Sequence, residues 1–430
     1  MSRAIADTPN PSKGQAGVDP YSIPLDKVDV SDAELFETDT HWGYFERLRQ
    51  QDPVHYCAES DFGPYWSATR FNDIMTVEKD PATFSSAGSI VIGDPLPDFS
   101  LSPGFIAMDG ARHVAHRKTV RPVVGPRNLA RLEPLIRERV VAILDGLPVG
   151  ETFDWVDSVS IELTTAMLAT LFDFPYEERR RLTFWSDMAT ASPALVGATG
   201  TTEAERQAAL EECLEVFQGL WRKRQGRKSD KLDLIAALAN GPATQDLAPM
   251  DYLGTLVLLI VGGNDTTRNS ITGGLLALNE NPAEYEKLRS DAGLIPNMVC
   301  EMIRWQTPLA HMRRTATRDS ELAGKKIESG DKVVMWYVSG NRDESVIPRA
   351  NEFLIDRDNV REHLSFGWGV HYCVGSQLAE MQLRILWEEI MARYQMVEVV
   401  GEPVRVRSNF VKGFHELPVR LHPLGTCAER

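Results

Sequence analysis

Apolar residues recur at intervals of three and four over 129–147, 161–172, 203–224, 249–279, 296–306 and 375–394, and this spacing predicts a helix in each segment. Short runs rich in β-branched and aromatic residues at 54–56, 65–68, 332–338, 397–400 and 419–421 read as strands. The helical segments outweigh the strands, so the expected fold class is mainly α with a minor β-sheet region. No internal repeat and no low-complexity linker breaks the stretch 40–420. Residues 1–24 are polar and rich in Pro, Gly and Ser, and read as a mobile tail ahead of a single domain over 25–430.

Composition narrows the function without changing this picture. Of the 430 residues 43% are apolar, ample for one large core. A net charge of −15 argues against a nucleic-acid binder, which would present a basic face. The cysteines, at 57, 213, 300, 373 and 427, are odd in number and form no C-x-x-C pair. That excludes a disulfide framework and a zinc site, and suits a reducing, cytoplasmic setting. The N-terminus lacks the charged-then-apolar order of a secretory signal. The longest apolar stretch, 253–263, is too short to span a bilayer.

One cysteine stands apart. Phe366-Gly367-Trp368-Gly369-Val370-His371-Tyr372-Cys373-Val374-Gly375 is a glycine- and aromatic-rich loop that runs into the last long helical segment. Gly367 and Gly369 suit a backbone with positive φ, and a helix N-terminus lowers a thiol pKa. A free cysteine is ordinarily a buried, inert one. In this setting a metal-ligating thiolate is the sharper reading, and a thiolate bound to haem iron favours O–O cleavage. The loop resembles the haem-binding loop of the haem-thiolate monooxygenases, the cytochromes P-450, and three further segments agree with it in order. The resemblance covers about residues 35–422. It implies the P-450 fold, with haem b between the long central helix and the cysteine-loop helix. It also implies Cys373 as axial ligand of the haem iron, and Phe366, Gly375 and Gly262 as haem-contacting positions.

The central helical segment carries Gly262-Gly263-Asn264-Asp265-Thr266-Thr267 in its middle. Two mid-helix glycines cost about 1 kcal/mol each relative to alanine. They open a groove, beside which Asp265 and Thr266 form an acid–alcohol pair able to relay protons. A packing pair of glycines with a polar, solvent-facing turn accounts equally for the same residues. By resemblance Asp265 and Thr266 are the oxygen-activation pair. Glu301 and Arg304, at i and i+3, can form an ion pair. The resemblance puts that pair behind the haem with a downstream arginine, which the sequence does not single out. Asn341-Arg342-Asp343 is similar to the family's segment after the small sheet.

His113 and Arg117, at i and i+4, present two donors on one helix face, which suits carboxylates. The resemblance makes them haem-propionate ligands together with Arg314 and His371. Where the family often has two prolines after the aspartate, this chain has Gly110 and Ala111 after Asp109.

Arg112, Arg117, Lys118, Arg121 and Arg127 form a basic patch in an otherwise acidic protein, a surface suited to an acidic partner. The chain has no G-x-G-x-x-G and no P-loop, hence no evident flavin or nicotinamide domain. Electrons are expected from a ferredoxin served by a ferredoxin reductase, with O2 and a hydrophobic small molecule as the remaining partners. The segment 89–106 reads as a loop over a pocket and contains Ile92. Leu258, Val261 and Gly262 on the central helix, Ala310 and Met312 after Pro308, and Phe414 in a late turn complete the candidate substrate contacts. Core packing accounts for any one of them as well. Their apolar character points to an apolar substrate.

The stretches 118–126, 263–274 and 378–389 resemble the bacterial alkane hydroxylase branch of the family. That implies oxidation of the terminal C–H of a medium-chain alkane, a fatty acid or a related hydrocarbon. A terpene or other hydrophobic substrate is compatible with the same residues. A peroxide-driven peroxygenase and a haem-based sensor are the remaining readings. The intact acid–alcohol pair argues against the first, and the lack of an appended output domain against the second.

Overall fold

A 32-residue helix, Pro249–Glu280, organises the molecule. The computed structural model describes residues 15–94, 104–191, 201–227 and 232–425. The helices that frame the site are α1 (Phe71–Lys79), α2 (Gly110–Val120), α3 (Pro126–Asp145), α4 (Glu162–Phe172), α5 (Arg180–Thr190), α6 (Glu203–Arg224), α7 (Pro249–Glu280), α8 (Ile295–Gln306) and α9 (Ser376–Arg393). The segments read from periodicity are all helical, and 203–224 has the bounds expected. A capping box explains its sharp start: Thr202 accepts from the Glu205 N–H, and the Glu205 carboxylate accepts from Thr202.

Helix α7 is apolar or small on nearly every side, as befits a helix buried all round. It packs on α4, α5, α6, α8 and α9. Its approach to α8 relies on two missing side chains. A Cβ on Gly273 would lie 2.1 Å from Gln306 Oε1, and one on Gly274 would lie 2.6 Å from Met302 Sδ.

The strands of the larger sheet are β1 (Val54–Cys57), β2 (Tyr65–Ala68), β3 (Phe84–Ser85), β5 (Met312–Ala316) and β6 (Lys332–Met335), in the order β1-β2-β6-β5-β3. The pair β2–β6 is parallel and the others antiparallel. A three-stranded sheet joins β4 (Thr152–Asp154), β8 (Pro418–Pro423) and β7 (Tyr394–Val399) in that order.

Two expectations are corrected here, and one strand adds to those expected. The apolar run 332–338 is not one strand: it leaves the sheet after Met335, and Tyr337–Gly340 is a helical turn. Both halves are buried on all sides, so the run has no period that separates them. Strand β5 was missed because Arg313 and Arg314 interrupt its apolar pattern; both are buried against polar partners. Of the expected mobile tail, 1–14 lie outside the described residues and 15–24 are docked. The Tyr44 hydroxyl donates to the carbonyls of Gln15 (2.6 Å) and Val18 (3.0 Å), and Arg47 to that of Ile23 (2.6 Å).

Candidate active site

The cysteine loop reaches α9 with Gly375 at the N-cap. The Cys373 N–H donates to the Phe366 carbonyl at 2.8 Å, closing the loop, and the sulfur accepts from the amides of Gly375 and Ser376. Burial pushes the Cys373 thiol up; the Gly375 amide, Arg117 and the Ser376 amide oppose this without prevailing. The lowering expected from the helix N-terminus is therefore outweighed by desolvation. Gly367 and Gly369 have φ of +66° and +65°, as expected, but the close neighbour of both is Glu78 of α1 and not the sulfur.

Cys373 lines a cavity of about 1540 Å³ that opens to solvent. Phe366, Gly375 and Gly262 also line it. A Cβ on Gly262 would meet nothing within 4 Å, whereas one on Gly263 would lie 2.7 Å from Leu168 Cδ2. The two glycines thus divide their roles: Gly262 leaves room in the cavity, and Gly263 lets α4 approach α7.

The polar lining is clustered. His113, Arg117, Arg314 and His371 all face this cavity, with Glu78 and Tyr337 among them. The rings of His113 and His371 lie 4.2 Å apart. Ser86 Oγ is 2.9 Å from His371 Nε2, and Arg117 reaches the Tyr372 carbonyl. Burial, then the charges of Arg314 and Arg117 nearby, push the His371 imidazole down to about 3. Burial likewise lowers His113, with Arg117 adding to it. His113 Nε2 and His371 Nδ1 are buried without a hydrogen-bond partner. Two orphaned imidazole nitrogens beside two guanidinium groups fit the carboxylates of a haem, and a half-buried sulfur on the same cavity fits its iron.

The acid–alcohol pair is arranged differently from the expectation. Thr266 lines the cavity, and its hydroxyl donates to the Gly262 carbonyl at 2.7 Å. Asp265 is fully buried and does not line the cavity among the described residues. Its carboxylate accepts from Ser186 of α5 (3.1 Å), Asn264 (3.0 Å) and Arg268 (2.8 Å). Burial raises it to about 6, with Arg268 opposing. Arg268 also reaches Asp187 on the surface at 3.1 Å. Ser186, Asp187 and Arg268 carry no sequence mark; only the fold joins them to Asp265.

The ion pair behind the site is complete. Arg304 donates to both Glu301 oxygens at 2.7 Å, and Arg357 to both at 3.1 and 3.2 Å. Burial pushes the Glu301 carboxyl up, and the two arginines more than reverse this, so its pKa is lowered. Arg342 is not the third member; its guanidinium stacks 3.4 Å from the Trp305 ring centre.

Of the candidate substrate contacts, Leu258, Gly262 and Met312 line the cavity, joined by Phe105, Ile106 and Leu309. Four others do not. Ile92 is buried in a separate cluster with Trp336, and its N–H donates to His311 Nε2 at 3.2 Å. Ala310 belongs to that same cluster. Phe414 packs beneath Arg405, with its N–H on Asn269 Oδ1 at 3.0 Å. Val261 is turned off the cavity. A side chain's apolar character does not reveal which face of its element meets a cavity. Of the loop 89–106, residues 95–103 lie outside the described residues.

The basic patch also divides. Lys118, Arg121 and Arg127 line a surface crevice with Arg131, while Arg112 turns toward Asp251 of α7 at 3.9 Å. Near Cys373, Trp368, Val370 and Tyr372 are exposed.

The family model for cytochrome P450 matches residues 74–418. The chain belongs to the cytochrome P450 family. Its structure superimposes with a TM-score of 0.86 on a cytochrome P450-153 from Novosphingobium aromaticivorans, at 46% identity over 92% of this P450 and 99% of that chain. It is 34% identical to linalool 8-monooxygenase of Pseudomonas putida, over 93% of this chain and 100% of the relative. It is 29% identical to a methyl-branched lipid omega-hydroxylase of Mycobacterium tuberculosis, over 94% and 96% of the two chains. This P450 is a monooxygenase whose cofactor is haem b. No helix among its described residues is long and apolar enough to cross a membrane.

Proposed function

We propose that this P450 hydroxylates the terminal C–H of a medium-chain alkane, fatty acid or related hydrocarbon, with electrons from a ferredoxin. The observation that carries the reading is the apolar share of the cavity lining, to which Phe105, Ile106, Leu258, Leu309 and Met312 contribute. Such a lining binds a hydrocarbon chain by burial and offers it no polar handle. A lipid omega-hydroxylase among the relatives supports the same position of attack.

Bound haem supplies oxygen activation, by which one atom of O2 enters the C–H bond and the other leaves as water with two electrons and two protons. Cys373 would ligate its iron. His113, Arg117, Arg314 and His371 would hold its carboxylates. Thr266 donates a hydrogen bond at the cavity wall. Asp265 is the proton source once Arg268 releases it, and burial raises its pKa above the ordinary carboxylate range.

The crevice of Lys118, Arg121, Arg127 and Arg131, with the exposed aromatic residues of the cysteine loop, is the docking face for an acidic ferredoxin. A linear terpene alcohol is the second reading, favoured by the linalool 8-monooxygenase relative. A panel of alkanes, fatty acids and terpene alcohols, scored by the low- to high-spin shift and by the position of the new hydroxyl, decides between them. Terminal alcohols from alkanes or fatty acids support the first reading. Shifts confined to terpenes overturn it.

A further inference from the structure

Glu78, in the last turn of α1, is a carboxylate 3% exposed on the wall of the cavity that holds Cys373. Its Oε2 accepts from Arg314 Nη2 at 2.8 Å, and its Oε1 accepts from the Tyr337 hydroxyl. The cysteine loop is shaped around it. A Cβ on Gly369 would lie 2.7 Å from the Glu78 carbonyl oxygen, and one on Gly367 would lie 3.3 Å from Glu78 Oε1. The two loop glycines therefore admit this glutamate as well as the turn.

A buried carboxylate is unfavourable unless it is paired and hydrogen-bonded. Glu78 meets both conditions through Arg314, whose Nη1 is in turn fixed on the Arg313 carbonyl at 2.9 Å. Two imidazoles, His113 and His371, share this wall with the guanidinium groups of Arg117 and Arg314. Glu78 is the one carboxylate in the lining of this cavity among the described residues.

We propose that Glu78 is a positioning residue for the haem: it holds the Arg314 guanidinium toward a haem carboxylate and adds a negative charge that lowers the iron's reduction potential. The inference rests on Arg314 as a propionate partner. Ferric haem carries one more positive charge than ferrous haem, so a fixed anion in a poorly screened cavity favours the ferric form.

The test is a spectroelectrochemical titration of the purified holoenzyme beside Glu78→Gln, Tyr337→Phe and Arg314→Gln, with the rate of haem loss to a haem-scavenging protein measured on each. Glu78→Gln keeps the shape and removes the charge, and its couple is expected to move to a more positive potential. Tyr337→Phe keeps the charge, so its potential is expected to stay at the wild-type value while haem loss quickens. Arg314→Gln is expected to move the couple the opposite way from Glu78→Gln. A shift in Arg314→Gln with none in Glu78→Gln overturns the role of Glu78 and leaves that of Arg314 standing. No shift in either overturns both. If Glu78→Gln does not take up haem, the double variant Glu78→Gln/Arg314→Gln carries the test: its potential must lie above that of Arg314→Gln alone, and equality overturns the proposal.

Discussion

The Asp265 carboxylate lies 2.8 Å from the Arg268 guanidinium, one turn along the same helix, turned away from the cavity that Thr266 lines. Acid and alcohol are adjacent in sequence yet make no hydrogen bond to each other. Asp265→Asn and Thr266→Ala should therefore fail differently. Asp265→Asn removes the proton donor and should slow turnover by roughly 100-fold with a normal haem spectrum. Thr266→Ala should keep consuming electrons while yielding less hydroxylated product per electron. Oxygen uptake, electron consumption and product measured together separate the two. Equal coupling in Thr266→Ala and wild type would count against a role for its hydroxyl.

The glycine pair of α7 should respond asymmetrically to alanine. Gly262→Ala adds a methyl group that meets no protein atom within 4 Å, and in the haem-free protein it should raise stability by up to about 1 kcal/mol through helix propensity. Gly263→Ala forces Leu168 aside and should cost about 1–3 kcal/mol from overpacking, partly offset by the same propensity gain. Urea midpoints of the two variants check this; equal midpoints would mean that α4 does not press on Gly263.

Removing one partner of the Glu301 network should be severe. Glu301 and Arg304 are both fully buried, and Arg357 also donates to the carbonyls of Arg349 and Glu352. Arg357→Met leaves Glu301 with Arg304 as its one cationic partner and frees those buried carbonyls, at an expected loss of about 1–3 kcal/mol for each group left unsatisfied. Denaturant unfolding measures it.

His311 should make the fold acid-labile. It is fully buried, with Nδ1 on the Asn409 carbonyl and Nε2 taking the Ile92 N–H, and burial pushes it down to about 4. A histidine depressed in the folded state stabilises fully above its unfolded pKa of about 6.5, and that stability is lost as pH falls toward 4. The loss amounts to about 3 kcal/mol for this one group. His311→Gln should be less stable at neutral pH but flatter in its dependence between pH 6.5 and 4. An unchanged slope would show that His311 does not carry the transition.

The sequence made visible what depends on local pattern. Helices with a full apolar period, the Cys373 loop and the Glu301–Arg304 spacing were all legible, because each is written within a few turns of chain. What it hid depends on long-range neighbours. Arg357 and Glu78 look like ordinary charges on ordinary segments until the fold closes them onto Glu301 and Arg314. Ile92, Ala310 and Phe414 look like Leu258 and Met312, and only the packing shows which of them meet the cavity.

The most direct test of the account is the absorption spectrum of the reduced, carbon monoxide-bound protein, recorded for wild type and Cys373→Ser. The wild type should show the long-wavelength Soret band of thiolate-ligated haem, and Cys373→Ser should lose that band even where haem is retained. The same band in both proteins would contradict Cys373 as the ligand, and its absence from the wild type would contradict thiolate ligation altogether.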